Sequence, residues 1–304
     1  MAEIILHHYP LSPFAEKIRR ILAYKRVPWR SVEQPIMAPK PELAPLTGGY
    51  RRIPVLQIGA DVYCDSACIA RRLEQLRPEP ACIPEGLAGV AGALEDWADH
   101  RLFLLQTMRP AVVAMLPALP PDILADRAAM SPALSKEALV KAAPHALSQA
   151  LLSLDRLDRQ LRGRPFLLGE AFSIADAACF HAVWFLRNSA DLFAAVAARP
   201  ALAAWFARIE GFGPGDVRPM SAADALEIAR TSEPADVTGG GPATAAGVSL
   251  GDVVAIAADD YGPEESRGVV VRFTEEEIAI RRRDAALGDI AVHFPRAGYR
   301  IEKR

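Results

Sequence analysis

The spacing of apolar residues changes twice along this chain, and each change limits what the segment can become. Up to about residue 80, short β-type runs alternate with helical ones. Residues 3–7 are a run of the first kind. After the loop 8–12, Phe14, Ile18, Ile21 and Leu22 recur at helical spacing across 13–24. A second strand is expected at 29–32 and a proline-rich connection at 36–46. The apolar runs 54–58 and 62–64 are split by Gly59-Ala60-Asp61, which reads as a hairpin turn, and a helix follows from 66 to about 76. This order of elements suits a compact mixed sheet covered by helices. From 85 to about 230 the period is helical, in 94–105, 134–161, 173–186, 201–209 and 222–228. Leu147, Leu151, Leu154, Leu157 and Leu161 keep one face, as a bundle helix requires.

The second change follows a stretch of Gly, Pro, Ala and Thr centred on Gly239-Gly240-Gly241-Pro242, which has the composition of a linker. Beyond it, 253–257, 269–273, 278–282, 291–293 and 299–301 read as short strands separated by turn clusters, the pattern of a small SH3-like barrel or sheet. The expected organisation is a mixed α/β domain over 1–80, an all-helical domain over 85–230, a linker over 231–247 and a small β-rich domain over 248–304.

Composition excludes several classes. A formal net charge of −2, with 24% charged and 51% hydrophobic residues, is that of an ordinary globular protein and leaves no electrostatic footprint for nucleic acid. Arg281-Arg282-Arg283 is balanced by Glu275-Glu276-Glu277 in the same segment, so both read as solvated strand faces. No run reaches the roughly 18 apolar residues of a membrane span, and residues 1–6 lack a secretory pattern. A cytoplasmic protein without membrane contact is expected. Cys64, Cys68, Cys82 and Cys179 are too few for a disulfide framework, and no second pair at ligand spacing completes a metal site around Cys64 and Cys68. They read as small buried apolar residues, and no metal is expected.

Three short stretches could carry chemistry. Ser12 precedes Pro13, which suits the first position of a helix, so its hydroxyl sits at a helix N-terminus. Unpaired N–H groups and the positive end of the helix dipole stabilise an anion there, and lower the pKa of a thiol. Taken alone, the serine is a cap. In Arg52-Ile53-Pro54-Val55-Leu56, Pro54 heads an apolar strand, either as a tolerated first residue or as a cis proline that turns the Ile53 backbone outward. In Cys64-Asp65-Ser66 a strand ends and a helix begins, and the simple reading is again a cap.

Together and in this order, these stretches resemble the cytosolic glutathione transferase family. Ser12-Pro13-Phe14-Ala15-Glu16-Lys17 is similar to the omega-class motif with serine in place of cysteine, and Ser12 lies seven residues before Arg19, as in zeta- and theta-like enzymes. Ile53-Pro54-Val55-Leu56 resembles the family's cis-proline segment, and Asp65-Ser66 its acidic-serine pair. Pro165-Phe166-Leu167-Leu168-Gly169 leading into Ser173-Ile174-Ala175-Asp176, itself a capping-box pattern, resembles the signature of the helical domain. The resemblance covers about 3–230.

It implies a thioredoxin-like N-terminal domain followed by a helical bundle, with glutathione as co-substrate and a small electrophile as its partner in a homodimeric enzyme. Ser12 would hydrogen-bond the thiolate, Ile53 would pair with the cysteinyl backbone next to Pro54, and Asp65 with Ser66 would hold the γ-glutamyl group. Lys40 falls where omega-type sequences carry a lysine that meets the glycyl carboxylate; otherwise it is a solvated loop charge. Two departures refine this. His8 occupies the place of the catalytic tyrosine of tyrosine-type enzymes, with Tyr9 beside it, and reads as an exposed strand-end histidine. Serine at 12 cannot form a mixed disulfide with glutathione, which disfavours thiol reduction. Isomerase and dehalogenase chemistry use the same activated thiolate. A transferase-fold interaction protein with weak or absent catalysis is the alternative, because fold does not imply function. The segment 248–304 has no counterpart in the common classes and is expected to support packing or dimerisation.

Overall fold

The computed structural model describes residues 3–235 and 247–304; most of the expected linker, 236–246, lies outside them. The chain divides into two compact units. One comprises Met1–Ala15, Pro28–Arg72 and Asp216–Arg304; the other comprises Glu16–Val27 and Leu73–Gly215.

The first unit is built on a ten-stranded sheet. Its N-terminal part has β1 (Ile5–His8), α1 (Pro13–Tyr24, whose first turn belongs here), β2 (Trp29–Glu33), the single turn α2 (Ala44–Thr47), β3 (Val55–Ile58), β4 (Asp61–Cys64) and α3 (Ser66–Leu76, which belongs here up to Arg72). This is the thioredoxin-like arrangement. β1 pairs with β2 in parallel and with β3 antiparallel, and β3 pairs with β4 through a tight hairpin at Gly59, whose φ of 61° suits glycine. The sheet grows at both edges. Beside β2 lies β5 (Val217–Pro219), in parallel, followed by α11 (Ala222–Arg230), whose Ala225 packs on Ile5 and Val32. Pro219 cannot donate to a ladder, which fits an edge position.

The other edge, β4, is covered by the C-terminal segment. β6 (Val253–Ala258), β7 (Glu265–Phe273), β8 (Glu277–Asp284) and β9 (Gly288–Pro295) form an antiparallel meander, and β10 (Tyr299–Lys303) returns to pair with β6. β9 then pairs in parallel with β4, matching Asp61 to Ala291, Val62 to Val292 and Tyr63 to His293. The segment 248–304, expected as a domain of its own, therefore shares one sheet and one core with the N-terminal strands. Leu43, Leu46, Ile53, Val55 and Val62 pack in a single cluster with Val254, Ile256, Phe273, Ile280, Val292 and Phe294. The physical reason is edge protection: an uncovered β4 would expose a row of unpaired N–H and C=O groups.

The second unit is helical. α4 (Ala88–Asp96) runs into a π-helical stretch, Trp97–Thr107, and on into α5 (Met108–Met115). α6 (Pro121–Met130) and the long α7 (Lys136–Leu161) follow, then the almost wholly buried α8 (Ile174–Trp184), α9 (Ala190–Ala197) and α10 (Pro200–Glu210). The expected capping box opens α8: Ser173 and Asp176 cap each other's backbone, and Asp176 Oδ1 also accepts from Leu167 N–H and the Trp205 indole. Residues 216–230, read from sequence as part of the helical domain, belong to the sheet unit instead. Among the described residues no single helix is long and apolar enough to cross a membrane.

Candidate functional site

Strand register gathers the three stretches picked out above. His7 of β1 lies opposite Val55 of β3, and Val55 lies opposite Cys64 of β4. The loop after β1, the residues before β3 and the turn after β4 therefore leave the sheet at the same end. Ser12, Ile53-Pro54 and Asp65-Ser66 all belong to those segments.

Each is shaped by its local chain. Ser12 is 1% exposed; its N–H donates to the Tyr9 carbonyl (3.1 Å) and its Oγ accepts from the Ala15 N–H at 3.2 Å, capping α1. Such a cap is worth about 1 kcal/mol. Because Oγ acts as an acceptor in the cap, its own proton stays available to donate, at the positive end of the helix. The Ile53–Pro54 bond is cis, and β3 begins only at Val55, so the backbone of Ile53 takes no part in that strand's ladder. Asp65 has φ 76°, the left-handed region, which non-glycine residues occupy at a cost of about 1–2 kcal/mol. That conformation turns its carboxylate over the start of α3, where Oδ1 accepts from the Ala67 N–H at 2.8 Å. Ser66 is the buried first residue of the same helix.

Two sequence readings change here. Lys40 is not a solvated charge: it is buried, its Nζ donates to the Pro35 carbonyl and stands 5.7 Å from the centre of the Tyr9 ring, beside the loop after β1. His8 is not exposed: its Nε2 pairs with Ser31 Oγ at 2.7 Å, and its ring meets Trp29 edge-on, so β1 and β2 hold it in the sheet. The cysteines are all free and buried. Burial pushes the thiols of Cys64, Cys68 and Cys179 well above their ordinary value, and that of Cys82 to about 12. None is a thiolate at neutral pH. Among the described residues, no group of three or more His, Cys, Asp or Glu is arranged to hold a metal ion.

Sequence reasoning missed what the C-terminal strands bring to this end of the sheet. Tyr299, the first residue of β10, reaches Asp65 and Tyr50. Arg52 lies over the Tyr261 ring at 3.9 Å and pairs with Asp260, so a loop of the extension holds the approach to Ile53. The sequence signal was the turn cluster Asp259-Asp260-Tyr261-Gly262, which marks a turn without naming what it touches.

Comparison with known proteins agrees with this architecture. Residues 6–81 match the model for the glutathione S-transferase N-terminal domain, and 137–208 that for the C-terminal domain. A GST-like protein from Pseudomonas syringae is 40% identical over 100% of both chains, with a TM-score of 0.83. A glutathione S-transferase from Rhodospirillum rubrum is 18% identical, covering 69% of this chain and 89% of its own, with a TM-score of 0.55. Glutathione transferase F1 of poplar is 18% identical over 75% and 98%, with a TM-score of 0.53. Those two show the fold alone. A search of curated protein sequences found no match. Two domain models in their expected order, and a solved relative matching from end to end, establish that the chain belongs to the glutathione S-transferase family.

Proposed function

We infer that the protein is a glutathione transferase that holds the glutathione thiolate at the start of α1 and directs it at a small electrophile. The observation that supports this reading is the shared register of β1, β3 and β4, by which a serine cap, a backbone outside the strand ladder and an acidic-serine pair follow or precede the strands at one end of the sheet. A tripeptide needs these three kinds of partner along its length. Ser12 donates its free proton to the sulfur, and the helix dipole adds to that stabilisation. Ile53 pairs with the cysteinyl backbone, Asp65 and Ser66 take the γ-glutamyl group, and Lys40 takes the glycyl carboxylate by turning from Pro35. The thiolate forms a bond to the electrophilic carbon while the leaving group departs with the bonding pair. The site's task is to keep the sulfur ionised. On the same reading the enzyme works in the cytoplasm as a homodimer, as the resemblance implies.

The test is calorimetric titration with glutathione, followed by an assay with a dinitrophenyl halide that compares the parent with Ser12→Ala. Measurable binding is expected, with kcat/KM reduced about a hundredfold in the variant, the usual loss when one anion-stabilising donor is removed. An unaffected rate would move catalysis away from Ser12. Absence of binding at millimolar glutathione would favour an interaction protein built on the same fold.

A further inference from the structure

The roles assigned above do not use the contact between Asp65 and Tyr299. The phenolic oxygen of Tyr299 lies 3.1 Å from Asp65 Oδ2 and 3.3 Å from the hydroxyl oxygen of Tyr50. A phenol has one proton, and a carboxylate is the stronger acceptor, so Tyr299 donates to Asp65. The Tyr50 hydroxyl is then free to donate to Tyr299. Both rings are held in place: Phe294 lies 5.5 Å from Tyr299 and 5.8 Å from Tyr50 between centroids. Oδ1 of Asp65 is already tied to the Ala67 N–H. Each carboxylate oxygen is thus anchored before any ligand arrives, one by its own helix and one by a residue 234 positions along the chain.

The same segment secures the neighbouring loop. Ser266 Oγ donates to the Thr47 carbonyl at 2.7 Å, and Glu264 lies 3.5 Å from Arg51. The extension therefore fixes both the stretch leading into Ile53 and the carboxylate at the other end of the candidate site.

We propose that Tyr299 is a positioning and specificity-determining residue for the α-amino group at the γ-glutamyl end of glutathione. A carboxylate oxygen accepts more than one hydrogen bond, and a phenolic oxygen that donates its proton accepts as well. A primary ammonium, with three N–H donors, meets two oxygens about 3 Å apart, the phenol of Tyr299 and an ionic oxygen of Asp65 that Tyr299 already holds before binding. A ligand without that amine gains nothing from the arrangement. This role rests on the glutathione reading, and the experiment separates the two.

Tyr299→Phe keeps the ring and its packing on Phe294 and removes only the oxygen. Parent and variant are titrated by calorimetry with glutathione, and with an analogue whose γ-glutamyl α-amino group is replaced by hydrogen. The expected result is about a tenfold rise in Kd for glutathione, the equivalent of one charge-assisted hydrogen bond. For the deaminated analogue the change should stay within about twofold. Unchanged or tighter glutathione binding, or an equal loss for both ligands, overturns the role of Tyr299 and leaves the glutathione reading standing. A parent protein that binds no glutathione overturns both.

Discussion

Each of the two units buries a histidine with two carboxylates, and the histidines respond in opposite directions. In the helical unit, Lys17 Nζ lies 2.6 Å from Asp99 and 2.8 Å from Glu95, while His181 Nε2 lies 2.8 Å from the other oxygen of Asp99. In the sheet unit, His293 lies 2.6 Å from Glu277 and 3.2 Å from Asp61, with its ring stacked on Tyr63. Burial, helped by the Lys17 charge, takes His181 below its ordinary 6.5 although Asp99 pulls the other way. Burial also disfavours charge on His293, yet hydrogen bonds and the charges of Asp61 and Glu277 raise it above 6.5. The difference comes from the cation count. Lys17 already serves the helical pair, so His181 is not needed as a cation; between β4, β8 and β9 the histidine supplies the buried charge.

The largest effect that would test this contrast is Asp99→Ala. It strips a fully buried ammonium of one partner and should cost about 3–5 kcal/mol in chemical denaturation. His293→Gln should cost less, about 2 kcal/mol, because Glu277 keeps Arg272 at 3.3 Å and some access to water. If the ranking of the two variants were reversed, the cation-count argument would fail. The third test is pH. The folded pKa of His293 is raised, so its contribution is complete below 6.5 and is lost as pH rises through the raised value. His7, which burial lowers to about 4 despite its bond to Gln57, has the opposite sign: its contribution is complete above 6.5 and is lost as pH falls towards 4. His181 shares that second sign. The melting temperature should therefore decline on both sides of pH 6.5, and His293→Gln should flatten the alkaline arm alone. The smallest effect is Arg283→Ala. That side chain is mostly exposed and only 3.4 Å from Asp289, so its removal should leave the melting temperature unchanged within error.

Local information carried well from sequence to structure, and distant information did not. Ser12-Pro13, Pro54 and Asp65-Ser66 were legible because a cap, a strand head and a strand-to-helix turn each depend on a few adjacent residues. Their gathering at one end followed from strand order. By contrast, Val62 and Val292 are each just one residue of an apolar run, and nothing in either identifies the other as its neighbour. The three-residue β5 is too short to show a period, so Val217–Pro219 passed as part of the helical region. Lys40 could be placed on its loop, but its turn inwards to Pro35 depends on packing that no local pattern encodes. Tyr299 read as an ordinary strand residue, because a phenol that serves a carboxylate 234 residues away leaves no mark on its own neighbourhood.

The parallel pairing of β4 with β9 also bears on how the molecule is made. The two strands are far apart in sequence; Asp61 and His293 are separated by 232 positions. During translation, the early strands emerge and wait with both edges bare while the helices are synthesised, and β5 then covers the β2 edge alone. Contacts so far apart in sequence are slow to form. A nascent chain of this protein should therefore be most vulnerable to chaperone capture or aggregation just before residues 248–304 leave the ribosome.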